Sequence, residues 1–126
     1  MKTERQKFVK ILDDLFREII RKRDKVCQRC GRSDIKLEVA HFYSRAIKKI
    51  RWSEDNCCLL CFNCHYKFAH REPAEFAEWW EVRFGKEKLA QLRLRKTYIS
   101  TLHTHELKVL KIALKKRLSE LRGVTR

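Results

Sequence analysis

The sequence predicts a small α+β fold: a cysteine-stapled core of two short strands and a helix, with an N-terminal helix before it and a helical C-terminal extension after it. Three observations lead there. Two Cys-x-x-Cys pairs, Cys27/Cys30 and Cys61/Cys64, bracket the middle of the chain. Two apolar runs of strand length, Leu37 to Phe42 and Cys57 to Phe62, lie in the stretch they frame. Outside the pairs, apolar residues recur with a helical period. The 126 residues, 44% hydrophobic and 37% charged, suit one domain. It divides into an N-terminal helix (1–26), the stapled core (27–72) and a basic helical extension (73–126).

Residues 4–23 carry Phe8, Ile11, Leu12, Leu15, Phe16, Ile19 and Ile20 at i, i+3, i+4 and i+7 spacing, which makes an amphipathic helix. Thr3 and Gln6 have the spacing of a capping box at its start. Gly31 closes the first cysteine knuckle, where a left-handed turn suits a residue without Cβ. Residues 37–42 alternate in part and read as a strand, and residues 43–56 as a basic, polar loop. Residues 57–62 read as a second strand or turn leading into a helix that starts with Cys64, His65, Phe68 and Ala69. Pro73 suits the first turn of the next helix, which carries Phe76, Trp79, Trp80 and Phe84 and stops at Gly85. That aromatic face is expected to pack against the N-terminal helix. Residues 86–99 continue as a helix with Leu89, Leu92 and Tyr98 or Ile99 on one side. A last helix, 105–121, bears Leu107, Leu110, Leu114, Leu118 and Leu121 near heptad spacing, a stripe that either packs inward or joins two copies as a homodimer.

No apolar run is long enough to cross a bilayer, and the first residues lack a signal-peptide stretch, so a cytoplasmic location is expected. Thiols stay reduced there, which turns paired cysteines from disulfide partners into metal ligands. A structural zinc takes four thiolates in a tetrahedron. Cys27, Cys30, Cys61 and Cys64 close one such site and tie two distant segments together, a gain of roughly 10 kcal/mol or more in small peptides. Cys57 and Cys58 are left over and suit a core as small hydrophobes, with Cys57 as an alternative ligand. Lys and Arg number 31 against 16 acids, a net charge of +15 that makes sense beside a polyanion, nucleic acid above all.

Between the pairs lie Ala40-His41-Phe42 and Asp55-Asn56, and the second pair ends as Leu59-Leu60-Cys61-Phe62-Asn63-Cys64-His65. In these residues the chain resembles HNH endonucleases with the ββα-metal fold held by a zinc ribbon. The wider stretch, with Cys27-Gln28-Arg29-Cys30-Gly31-Arg32, Tyr43, Arg51-Trp52 and Asn56-Cys57, also resembles the lambdoid phage NinG/Rap recombination nucleases. The resemblance implies a DNA phosphodiesterase acting on duplex or branched DNA in a bacterial host cytoplasm, with branched recombination intermediates favoured. It implies His41 as general base, Asn56 as the residue that holds the loop and the His41 strand, and His65 as ligand of a catalytic magnesium or manganese ion. A histidine suits the base because its pKa lies near neutrality. Many family members carry Asp before the catalytic His, as a metal ligand, where this chain has Ala40. His70, Asp55, Glu38 and Asn56 are candidates to supplement His65, and His70 is preferred because it follows on the same helix.

Arg45, Lys48, Lys49, Arg51, Lys67 and Arg71 flank the candidate site and suit DNA phosphates. Ten further Lys and Arg between Arg93 and Arg126 offer a second contact surface or a solvated helix face. His103 and His105 suit a helix start. The competing reading is a non-catalytic zinc ribbon that binds nucleic acid, since charge and cysteines serve it equally. A weaker one is a zinc-stapled adaptor for protein, with the leucine helix as its contact. His41, Asn56 and His65 separate the enzyme from both.

Overall fold

The computed structural model describes residues 1–97 and 102–123, so Tyr98, Ile99 and Arg126 lie outside the described residues. Helix α1 spans Glu4–Asp24. Its capping box forms as the sequence implies: Gln6 N–H donates to Thr3 Oγ1 at 3.1 Å and Thr3 N–H to Gln6 Oε1 at 2.9 Å. Leu12, Phe16, Ile19 and Ile20 form its buried stripe. Strands β1 (Leu37–His41) and β2 (Cys57–Cys61) pair antiparallel, with Leu37 opposite Cys61 and His41 opposite Cys57. Between them the expected loop holds one helical turn, α2 (Lys48–Arg51), and a 3₁₀ turn, Glu54–Asn56. A π helix, Asn63–His70, follows β2. Then come α3 (Pro73–Phe84), α4 (Lys86–Thr97) and α5 (Thr104–Gly123).

Two strands alone are marginal in water. Here both faces of the ribbon are covered. Every residue of β2 is buried, which is why its sequence reads as an unbroken apolar run rather than an alternating one. Val39, Cys57 and Leu59 face α1 and α5, whose Leu107, Leu114 and Leu118 close that half of the core. Ala40, Cys58 and Leu60 face Phe76 and Trp80 of α3 and Leu89 and Leu92 of α4. The outer edge of β2 is also capped. Leu59 N–H donates to Asp24 Oδ2 at 2.9 Å, Gln28 N–H reaches Leu59 O at 2.9 Å, and Arg23 Nη2 donates to Cys57 O at 2.8 Å. These bonds satisfy groups that a lone edge strand would expose.

Two expectations of packing resolve here. The aromatic face of α3 does not meet α1. Trp80 lies 5.2 Å from Phe42 and 4.6 Å from Phe84, ring centre to ring centre, on the other side of the sheet. Only residues 71 and 72 join the π helix to α3, so α3 stays on the face where the π helix already lies. The place on α1 is taken by α5, a helix of similar length (20 residues against 21). The leucine stripe therefore packs inward, with Leu107, Leu114 and Leu118 buried in the core it shares with α1. No described helix is long and apolar enough to cross a membrane.

Candidate active site and cysteine cluster

Cys27, Cys30, Cys61 and Cys64 converge, all four sulfurs lying within 4.8 Å of one another. Gly31, at φ 80°, lets the first knuckle turn back, and its N–H bonds Cys27 O at 2.8 Å. A tetrahedron of ~2.3 Å Zn–S bonds has sulfur–sulfur edges of roughly 3.8 Å. Cys30 and Cys61 sulfurs stand 3.7 Å apart, so the cluster has the size and donor set for a metal such as zinc. Burial would raise the Cys27 thiol, but N–H donors from Cys30, Cys61 and Arg29 bring it down to about 6, toward the thiolate a metal takes. Arg29 lies 3.5 Å over the Phe68 ring and donates to Cys64 Sγ at 3.6 Å, a cation beside a thiol that burial pushes up to about 12. Cys57 and Cys58 stand apart from the cluster in the sheet, and burial pushes both thiols up, so Cys57 is a core residue rather than a ligand.

His41 ends β1, with its ring 6.5 Å from that of Phe16 in α1. Its Nε2 lies 3.0 Å from the carbonyl oxygen of Arg51. A carbonyl only accepts, so Nε2 carries the hydrogen and Nδ1 is the basic nitrogen. Burial pushes the His41 pKa below the ordinary histidine range, with the Arg45 and Arg51 charges acting the same way, against the pull of the Arg51 carbonyl and of Asp13. Asn56 is fully buried. Its Oδ1 accepts from Tyr43 N–H at 2.8 Å, and its Nδ2 donates to the carbonyls of Tyr43 at 3.1 Å and Ile50 at 3.3 Å. One side chain thus ties the exit of β1 to the turn that carries Arg51.

His65 and His70 lie on the π helix. In an α-helix, residues five apart point in different directions; the wider π turn closes its bonds from i to i+5 and stacks them. The two rings accordingly meet edge to face, 4.8 Å apart. His65 Nδ1 lies 3.3 Å from Glu38 Oε1 on β1. Burial holds His65 below the ordinary range despite the Glu38 contact, which favours the neutral, metal-binding form. Ala40 is buried opposite Cys58 in the apolar core, and Glu38, two residues back, is the acid on the same strand face. Asp55 is on the far side of the turn, within 4.0 Å of Lys88.

His41, Glu38, His65 and His70 line one cleft of about 760 Å³. Asn56 is buried and is not among the residues that line the cleft. Of the six basic residues read as DNA contacts, Arg45 lines this cleft. Arg51 is bound to Asp13, with its side chain 11% exposed. Lys48 and Lys49 line a separate cavity with Trp52 and α5, and Lys67 and Arg71 are exposed at the end of the π helix. The cleft wall includes Arg17 and Arg21 of α1 and Lys36, which sequence reading missed. Nothing in a charged helix face signals which residues turn toward a site on another element.

Neither a curated protein nor a solved structure matches the chain. Residues 27–71, the stretch that holds the cysteine cluster, both strands and all three histidines of the cleft, match the model of the HNH endonuclease family.

Proposed function

We propose that this protein is a metal-dependent HNH-type endonuclease that hydrolyses DNA phosphodiester bonds. The observation that carries this reading is one cleft holding a tautomer-locked histidine, His41, opposite the Glu38–His65–His70 cluster. His41 Nδ1 takes a proton from the attacking water as its oxygen bonds phosphorus and the bond from phosphorus to the leaving oxygen breaks. Asn56 keeps the His41 strand and the Arg51 turn in register. His65 and His70 would hold the divalent ion, with Glu38 accepting the Nδ1–H of His65 and fixing its ring. When bound, that ion supplies positive charge for the scissile phosphate and the leaving oxygen. Two imidazoles suit a transition ion better than magnesium, which favours an all-oxygen shell.

The four cysteines would hold a structural zinc that takes no part in the chemistry, and α1 and α3–α5 would act with the core as one domain, working in the cytoplasm. Arg45 at the cleft, with Lys48, Lys49, Lys67 and Arg71 around it, would contact the DNA backbone. Branched recombination DNA is the substrate to compare with duplex.

The test incubates zinc-loaded protein with supercoiled plasmid and with a synthetic four-way junction, each with magnesium, manganese or no added ion. His41→Ala runs alongside. The reading expects metal-dependent cutting that falls by about 10²–10⁴ in His41→Ala while zinc content and DNA binding persist. The second reading, a binding-only zinc ribbon, has Ala40 in its favour, since the usual acid is missing there. Tight binding with no cutting under any ion would establish it instead.

A further inference from the structure

We infer that Asp13, on α1 and outside the stretch that matches the HNH family, is a positioning residue for His41. The inference rests on the endonuclease reading of the cleft. His41 is held as a base by one backbone oxygen, that of Arg51. That oxygen belongs to α2, a single turn of four residues with no side-chain cap. Such a turn has too few hydrogen bonds to hold its own shape. From inside the core, Asn56 bonds its Ile50 carbonyl. From outside, one carboxylate gathers four donors from three residues of the same segment. Arg51 Nε donates to Asp13 Oδ1 at 3.1 Å and Arg51 Nη2 to Oδ2 at 2.6 Å. Trp52 Nε1 donates to Oδ1 at 2.8 Å, and Arg45 Nη2 to Oδ2 at 3.1 Å.

The fork geometry matters. A bidentate guanidinium–carboxylate pair fixes orientation as well as distance. It sets the Arg51 side chain, and the neighbouring Trp52 bond sets the next residue, so the peptide carbonyl between them is held at a fixed angle to the His41 ring. Asp13 itself sits on a 21-residue helix anchored along α5 and the sheet, a rigid support. The chain from α1 to the base is thus Asp13 carboxylate, Arg51 side chain, Arg51 carbonyl, His41 Nε2–H. Loss of the carboxylate frees the Arg51 carbonyl to turn, and the imidazole then shares its hydrogen between both nitrogens. The fraction of molecules with Nδ1 free to take a proton falls. A salt bridge that only added stability would leave that fraction alone.

The experiment compares Asp13→Ala, Asp13→Asn and Asp13→Glu in the full zinc-loaded chain. Long-range ¹H–¹⁵N correlation spectra above the His41 titration range report its tautomer. Cleavage of plasmid in manganese reports kcat and KM, and zinc content and circular dichroism report folding. The expected result is a His41 that moves from Nε2–H toward a mixed tautomer in Asp13→Ala. Its kcat falls about tenfold to a hundredfold with KM and zinc content little changed. Asp13→Asn, which keeps shape and one acceptor, falls between, and Asp13→Glu recovers part of the loss. In a His41→Ala background, Asp13→Ala should lower the residual rate no further. An unchanged tautomer in folded Asp13→Ala or Asp13→Asn overturns the inference, as does a rate loss that adds in full to that of His41→Ala. If the wild type cuts nothing under any ion, the endonuclease reading fails by itself, and the tautomer spectrum still decides whether Asp13 sets His41.

Discussion

Replacing Asn56 by alanine tests the link between core and catalysis most directly. Asn56 is fully buried and makes three hydrogen bonds, to Tyr43 N–H, Tyr43 C=O and Ile50 C=O. Asn56→Ala strands one donor and weakens two acceptors, with a small cavity besides. A stranded buried donor costs about 1–3 kcal/mol and each lost carbonyl bond somewhat less, so the total should be about 3 kcal/mol. For a chain of this size that lowers the midpoint of thermal unfolding by roughly 10 °C. The assay is thermal circular dichroism of zinc-loaded wild type and variant, with zinc content measured beforehand. Asn56→Asp sharpens the test. It keeps an acceptor for Tyr43 N–H but sets a second oxygen against two carbonyls, so it should be at least as destabilised as Asn56→Ala. At a temperature where both variants are folded, cleavage should still fall well below wild type, because the His41 strand and the Arg51 turn lose their tie. A melting point within about 2 °C of wild type in Asn56→Ala would refute the claim that this side chain joins the two segments.

Two further outcomes follow from the same geometry. Chelation, or Cys61→Ser, should remove one zinc per chain and unfold the 27–71 region, whereas Cys58→Ser should retain a full zinc complement, because Cys58 stands outside the cluster; atomic absorption and circular dichroism read both, and zinc loss in Cys58→Ser would contradict the ligand set. Cleavage should rise with pH as His41 gives up its proton and then level off. Burial and the cations of Arg45 and Arg51 oppose protonation more than the Arg51 carbonyl and Asp13 favour it, so the midpoint should lie below the ordinary histidine range; a kcat profile with its midpoint at or above that range would place the base elsewhere.

Much of this protein was legible in its sequence because the physics involved is local. Cys-x-x-Cys spacing fixes two sulfurs toward one ion, the capping box at Thr3 and Gln6 is a three-residue relation, and helical periodicity marks the buried stripe of α1. The order of His41, Asn56 and His65 within the cysteine frame pointed to one region of the chain, where His41 and His65 line the same cleft. What the sequence left open depends on relations between elements. Whether Trp80 and Phe76 face α1 or the opposite side of the sheet depends on the short join after the π helix, and whether the α5 leucines face α1 or a partner depends on which apolar stripe has no other cover. His70 meets His65 only because the backbone there takes a π register, which no pattern of residue types announces. Asp13 is one polar residue on a charged helix face until the fold carries that face past the Arg51 turn. The sequence by itself determined the cysteine staple, since that follows from residue type and spacing, and it placed His41 within the stretch that matches the HNH family. Tertiary structure alone decided which nitrogen of His41 is free, because orientation is set by contacts between segments far apart in the chain.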